Sequence, residues 1–438
     1  MKHIAPTLTA IALMGAVPAF GASIADDLVI KPTVQLQVRA QLAAGGTDRT
    51  GNDYNPYTGV TGETEAARIS IRRARFGASA KNSTGWDANF QIRAGERGDA
   101  GNAPTNNQAV QLYYANIGKA FKTDSIEHRL HIGIDKAFNG ESTISSSTYM
   151  MPNDRAVANL IEYRGPEVGY TLKHEIVRFG VDLGNGGYWS NFQPRAFQTA
   201  ADGTNGTVGV QNPAFLGAST SLDQKPGLFY SGRIEFAPGA SFMPAKKMES
   251  FAGAEGTHLV IGFDFQVDNK NITSATAATT AAQTTTILGP DIVGHWNGLS
   301  GVADWRLIKV KQDLSGTNAA NTASDDVSGS AFDFRVGYAI PMESGFAIEP
   351  AIGFGKVDLN KDSDEGGIAA AVFNSGEWQS GRVSGSQFEI GVNFYWNGHA
   401  NKTQLFYTNW KGEDSAAAAP NDSAPKAHVI TLQQQVTF

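Results

Sequence analysis

Gln387-Phe388-Glu389-Ile390-Gly391-Val392-Asn393-Phe394-Tyr395-Trp396 alternates without a break. Phe388, Ile390, Val392, Phe394 and Trp396 fall on one parity; Gln387, Glu389, Gly391, Asn393 and Tyr395 fall on the other. Successive side chains of an extended chain point to opposite faces, so this is a strand with one apolar and one polar face. The pattern recurs. In 86–97, Trp86, Ala88, Phe90, Ile92 and Ala94 oppose Asp87, Asn89, Gln91, Arg93, Gly95 and Arg97. In 259–267, Leu259, Ile261, Phe263, Phe265 and Val267 share a face. In 332–340, Phe332, Phe334, Val336, Tyr338 and Ile340 do the same.

Working outward from these, sixteen strands are predicted, near 30–42, 67–80, 86–97, 108–119, 128–137, 157–164, 168–183, 227–237, 257–267, 289–297, 299–310, 330–340, 346–357, 385–396, 402–411 and 427–438. Eighteen is the alternative count. The intervals alternate. Those at 43–66, 138–156, 184–226, 268–288, 311–329, 358–384 and 412–426 are long; those at 81–85, 120–127, 165–167, 298, 341–345 and 397–401 are short. The interval 238–256 departs from this rule. A sandwich has no need of such alternation, whereas a barrel crossing an outer membrane has short turns at one rim and long loops at the other. The long intervals include the Thr/Ala run 271–286 and acidic stretches at 358–366 and 412–422, read as solvated loops.

The N-terminus agrees with export. Met1-Lys2-His3 is basic, Ile4 to Val17 is largely apolar, and Ala19-Phe20-Gly21 is a small-x-small cleavage site, so residues 1–21 are expected to be a signal peptide and 22–438 a single barrel domain. The chain has no cysteine. Its net charge of −7 becomes −8 once Lys2 leaves with the signal, which argues against a nucleic-acid partner. The mean hydropathy is −0.25. A barrel explains this polarity: a strand spans with about 9–11 residues, and half of them face a lumen that holds water when the strands number about sixteen. Tyr113, Tyr114, Trp189, Tyr338, Trp396, Tyr407 and Trp410 lie near predicted strand ends, where interfacial aromatics gather. His428, Ile430, Leu432, Gln434, Val436 and Phe438 share the outer face of the final strand, and Phe438 is expected to serve as a signal for the barrel-insertion machinery.

Arginine is the unusual polar feature. Arg68, Arg72, Arg73 and Arg75 crowd one strand, and Arg93 and Arg97 follow on the next. A charge on the lipid face near the midplane costs about 2–4 kcal/mol, so Arg73, Arg75, Arg93 and Arg97 are assigned to the lumen. Ile69 and Ile71 then have the wrong parity. That calls for a bulge near Arg72 or for an upper strand clear of the membrane.

Ile71-Arg72-Arg73-Ala74-Arg75-Phe76-Gly77, Gly85-Trp86-Asp87, Val34-Gln35-Leu36-Gln37-Val38 and His131-Ile132-Gly133-Ile134-Asp135-Lys136-Ala137-Phe138 resemble the phosphate-selective porin O and P family. The resemblance implies a sixteen-stranded, homotrimeric diffusion channel whose third loop, here 138–156, folds into the lumen. Where it implies a basic anion-gripping set, this chain carries a hydroxyl-rich run, Ser142 to Thr148, with Lys136 and Arg155 at its edges.

Other chemistry is weakly supported. The eight histidines lack metal-ligand spacing; His128 and His131, three apart on a strand, face opposite ways. No nucleophile elbow or Gly-rich phosphate loop is present, so neither enzyme activity nor a cofactor or metal is expected. The expected function is an outer-membrane channel of a Gram-negative bacterium for small hydrophilic solutes, with a preference for inorganic anions such as phosphate. The alternatives are an adhesive membrane protein that uses its long loops to bind a surface layer, and an exported soluble carbohydrate-binding protein.

Circular dichroism of the mature protein in detergent should show a sheet spectrum; a dominant helical one would refute the barrel. Phe438→Ser should lower the amount of assembled protein in the outer membrane. Equal levels of variant and wild type would argue against a terminal insertion signal.

Overall fold

A computed structural model describes residues 27–47, 65–94, 111–138, 149, 151, 164–185, 195–196, 222–238, 257–274, 280–315, 326–342, 345–358, 368–369, 385–412 and 426–438. The signal segment lies outside the described residues, and so do Trp189, Arg97 and Arg155.

Sixteen strands among the described residues build one sheet: β1 Val29–Thr47, β2 Glu65–Lys81, β3 Trp86–Ala94, β4 Gln111–Thr123, β5 Ile126–Lys136, β6 Arg164–His174, β7 Val177–Asn185, β8 Leu222–Phe236, β9 His258–Ser274, β10 Thr280–Trp296, β11 Leu299–Ser315, β12 Asp326–Tyr338, β13 Ala347–Asp358, β14 Gly385–Asn397, β15 Asn401–Gly412 and β16 Lys426–Thr437. Ile340–Pro341 continues the edge of β12. Each strand pairs antiparallel with the next, and β16 returns to β1 in the register Gln37↔Gln435 and Arg39↔Gln433. Phe438 completes the seam: its N–H donates to Val34 O at 2.9 Å and its carbonyl accepts from Val34 N at 3.1 Å. The closed ladder leaves no edge, as a sheet in lipid requires.

The alternation sorts the two faces. Phe388, Ile390, Leu405, Ile430 and Leu432 are exposed on the outside; Gln35, Gln37, Arg39, Gln404, Gln433 and Gln435 are buried on the inside. Short turns gather at one rim. Asn297-Gly298, with φ 46° and 89°, has the positive pair that matches a hairpin's twist. Trp86, Trp296, Tyr338 and Trp396 are exposed near this rim. Tyr113 and Trp410, by contrast, turn inward and are 4% and 2% exposed, so they are not interfacial. Trp410 shares its parity with inner residues Lys402, Gln404 and Thr408, and Tyr113 is turned by a bulge.

Two predicted boundaries are corrected. The segment 168–183 is not one strand but the hairpin β6–β7, turning at Glu175-Ile176, and the predicted strand 157–164 lies outside the described residues except for Arg164, the first residue of β6. No Gly, Pro or Asn marks that turn, but the alternation inverts across it: Glu167 is buried among odd positions and Asp182 among even ones. The Thr/Ala run is not a loop either. β9 and β10 extend through it in the register Ile272↔Ala281 and Val267↔Thr286, leaving only 275–279 between them. Threonine is β-branched and suits an extended ladder even where a strand outruns the bilayer.

The core of this barrel is polar. Arg233 of β8 bridges to Asp291 of β10 at 2.5 and 2.7 Å, to Glu235 at 2.7 Å and to Asp264 at 3.3 Å. Arg306 of β11 joins Asp304 at 2.8 Å, Asp291 at 3.0 Å and Asp264 at 3.2 Å. Arg178 closes on Glu235, and Arg335 on Asp333 at 3.0 Å. Arg178, Arg233 and Arg306 thus meet four carboxylates in one lattice, with the Arg335–Asp333 pair on the neighbouring strand. Arg233 reaches Asp291 across β9 because Gly262 lies between; a Cβ there would sit 2.3 Å from the guanidinium and 2.5 Å from the Asp291 carboxylate.

Gly262→Val should therefore separate Arg233 from Asp291 and cost about 3 kcal/mol or more, as breaking a buried pair does. The measurement is the temperature at which the folded band is lost on mildly denaturing gels. An unchanged transition would mean that the lattice contributes little to stability.

Candidate functional site

β1, β2 and β3 carry the arginine-rich part of the inner wall. In β2 the register with β1 passes from Gln37↔Arg73 to Val38↔Ile71, so Arg72 is an extra residue. This is the bulge that the parity of Ile69 and Ile71 demanded. Those two side chains point outward, 80% and 51% exposed, while Arg72 and Arg73 are both buried inside. A second bulge lies two strands away: β3 pairs Gln91↔Tyr114 and then Ile92↔Leu112, leaving Tyr113 as the extra residue. The two bulges re-aim side chains toward one another.

The Arg73 guanidinium donates to Gln37 Oε1 at 2.8 Å. Arg75 donates to Gln35 Oε1 at 3.2 Å and to Tyr113 Oη at 2.9 Å, and its guanidinium lies 4.3 Å from the centre of the Tyr113 ring. Arg93, directly opposite Arg75, is half-buried and lies 5.8 Å from the same ring. Arg39 donates to Gln433 Oε1 at 3.0 and 2.8 Å. From Gln433 a belt of side-chain hydrogen bonds continues through Gln404 at 2.9 Å and Asn393 at 2.9 Å to Glu349 at 2.9 Å. Five arginines are therefore gathered on three adjacent strands, and amides and a phenol are among the groups that hold them.

Three residues after β5 enter the barrel. Phe138 N–H donates to Asp182 at 2.9 Å, and its ring lies against Gly180, where a Cβ would be only 2.2 Å away. Tyr149 packs edge-on against His399 with ring centres 4.8 Å apart. Met151 is fully buried with Ala351 and Phe406, and its carbonyl accepts from Asn393 at 2.7 Å and Gln404 at 3.1 Å.

Of the residues selected from sequence, Arg73, Arg75 and Arg93 share the inner wall. Lys136 ends β5 immediately after Asp135, whose carboxylate points inward to Asn116 at 2.9 Å, so Lys136 takes the opposite parity. Phe438 is on the outside, 79% exposed. Sequence reasoning missed Arg39, although it continues the inward parity of Gln35 and Gln37. It also missed Tyr113, which only the bulge turns inward.

Among solved structures, the outer membrane channel DcaP of Acinetobacter baumannii is similar at TM-score 0.52 and 14% identity, covering 94% of this chain and 98% of that one. An anion-selective porin from Comamonas acidovorans aligns at TM-score 0.47 and 9% identity, covering 94% of this chain and 100% of the other. OprB of Pseudomonas putida aligns at TM-score 0.48 and 10% identity, covering 97% of each chain. No curated protein matches the sequence. Residues 46–438 match the family described as phosphate-selective porin O and P. With its closed antiparallel barrel, polar inside and apolar outside, the chain belongs to that porin family and is a channel for small solutes in the outer membrane of a Gram-negative bacterium.

Proposed function

We propose that this channel prefers anions, and that Arg39, Arg72, Arg73, Arg75 and Arg93 are the reason. The observation that carries the reading is their gathering on one stretch of inner wall. Fixed positive charge lining a pore lowers the cost of an anion there, and it counts for more where the passage is narrow and partly dehydrated. The protein's net charge of −7 does not oppose this. The acidic residues of the loop stretches 358–366 and 412–422 are screened within about 8–10 Å at physiological salt.

The segment that begins at Phe138 and reaches Tyr149 and Met151 narrows the passage in this reading. The sequence between them is rich in serine and threonine, which suits hydrogen bonding to inorganic anions in general more than a grip specific to phosphate. Arg97 and Arg155 belong to the proposed path as supporting charges, whereas Lys136, on the opposite parity to Asp135, does not. The proposal further takes the protein as a homotrimer with lipid against its outer face, inserted by machinery that reads the terminal strand at Phe438.

Reversal potentials in a planar bilayer under a potassium chloride gradient test the preference. Wild type should favour chloride, and Arg73→Ser/Arg75→Ser should lower the anion-to-cation permeability ratio about twofold or more, with the difference shrinking as salt rises. A cation-preferring wild type, or a double variant with an unchanged ratio, would make these arginines structural partners of loop carboxylates instead.

A further inference from the structure

The inner wall of β5, β6 and β7 holds a second cluster. The parity of β5 turns His131 and Asp135 inward, β6 contributes Glu167, and β7 contributes Asp182. The ladder brings them together in two rows, His131↔Gly169↔Asp182 and Gly133↔Glu167↔Gly184. Glycine between His131 and Asp182 is what lets them meet. A Cβ on Gly169 would stand 2.0 Å from the imidazole and 2.3 Å from the Asp182 carboxylate.

The spacing is that of ligands around one ion. His131 Nε2 lies 3.4 Å from Glu167 Oε1 and 3.6 Å from Asp182 Oδ1. One ligand atom each from His131, Asp135 and Glu167 falls within 4.8 Å of the others. A tetrahedral ion with nitrogen and oxygen ligands at about 2.0–2.1 Å separates those ligands by about 3.3–3.4 Å. The groups are also deeply buried, with His131, Glu167 and Asp182 exposed by 7%, 3% and 4%. Asp182 Oδ1 accepts no hydrogen bond among the described residues, nor does His131 Nδ1 take part in one. The other oxygen of Asp182 is held by the Phe138 amide at 2.9 Å and the Ser231 hydroxyl at 3.3 Å. Asp135 is held by Asn116 at 2.9 Å. Outer hydrogen bonds of this kind fix a ligand's orientation.

Carboxylates gathered around one imidazole attract positive charge, and the Arg129 guanidinium of the same strand already acts on Asp135 and Asp182. We propose that His131, Asp135 and Glu167, with Asp182 beside the imidazole, form a binding site for a divalent cation of the zinc class on the inner wall of the barrel. One imidazole with carboxylate oxygens suits that class better than magnesium or calcium, which take oxygen ligands throughout. The sequence hides the site because its ligands come from three strands. Asp182 also holds the amide of Phe138, so the ion sits where the chain leaves β5 and turns inward. The site stands whether or not the pore prefers anions, because it is read by binding and not by conductance.

The test uses full-length folded protein in detergent, stripped with a chelator and titrated with zinc chloride in a calorimeter. Wild type should bind one zinc per chain. His131→Asn and Glu167→Gln should each weaken binding at least tenfold, and His128→Asn, on the outer face of the same strand, should bind as wild type does. Heat-dependent gel mobility confirms that each variant is folded. Cobalt(II) provides a reading that needs no variant: wild type should develop the intense visible bands of four-coordinate cobalt, and zinc should abolish them. Absence of stoichiometric zinc binding by wild type, or undiminished binding by both folded variants, would overturn the proposal.

Discussion

A peptide group in hydrocarbon has no water to bond with, and this shapes the rest of the molecule. Each backbone N–H and C=O in the membrane must find a partner in the protein, and for strands the solution is a ring without edges. Here the ring closes where β16 meets β1, through Gln37↔Gln435, Arg39↔Gln433 and the paired backbone bonds of Val34 and Phe438. Once it is closed, every side chain has one of two addresses. The outer address tolerates Phe, Ile and Leu; the inner one accepts charges that lipid would reject.

The inner address brings its own demand, because a buried charge must be met. The barrel meets it in two ways. From β7 to β12 arginines and carboxylates form a lattice. From β1 to β3 guanidinium groups donate to glutamine oxygens and to a tyrosine hydroxyl. Bulges at Arg72 and Tyr113 serve this second arrangement. An extra residue inverts the phase of a strand locally, so two successive side chains point inward where one would otherwise face lipid.

Glycine gives the inner wall its reach. Partners two strands apart meet readily where the residue between them lacks a side chain. Asp87 and Arg129 pass over Gly118 at 2.8 Å, where a Cβ would lie 2.8 Å from one and 2.9 Å from the other. Arg233 and Asp291 pass over Gly262, and His131 and Asp182 over Gly169. Part of the abundance of glycine, 49 residues, thus has a structural reason apart from turns. Side-chain links that skip a strand stitch the wall as the backbone ladder alone does not.

The sequence by itself determined which face most strand residues take, though not that of Tyr113, which a bulge turns inward. Period two in 86–94, 259–267 and 385–396 reported inside and outside, the wrong parity of Ile69 and Ile71 reported a bulge, and the arginines of β2 and β3 could be assigned to the lumen before any partner was known. Even the unmarked turn at Glu175-Ile176 left a trace, in the inversion of parity between Glu167 and Asp182. What only the tertiary structure decided was who stands opposite whom. That His131 meets Asp182, that Arg233 meets Asp291, and that Met151 lies beneath Asn393 and Gln404 depend on register between strands and on the path of a connection into the barrel. The physical reason is that alternation is a property of neighbouring residues in one chain segment, whereas register is settled by the whole closed ladder.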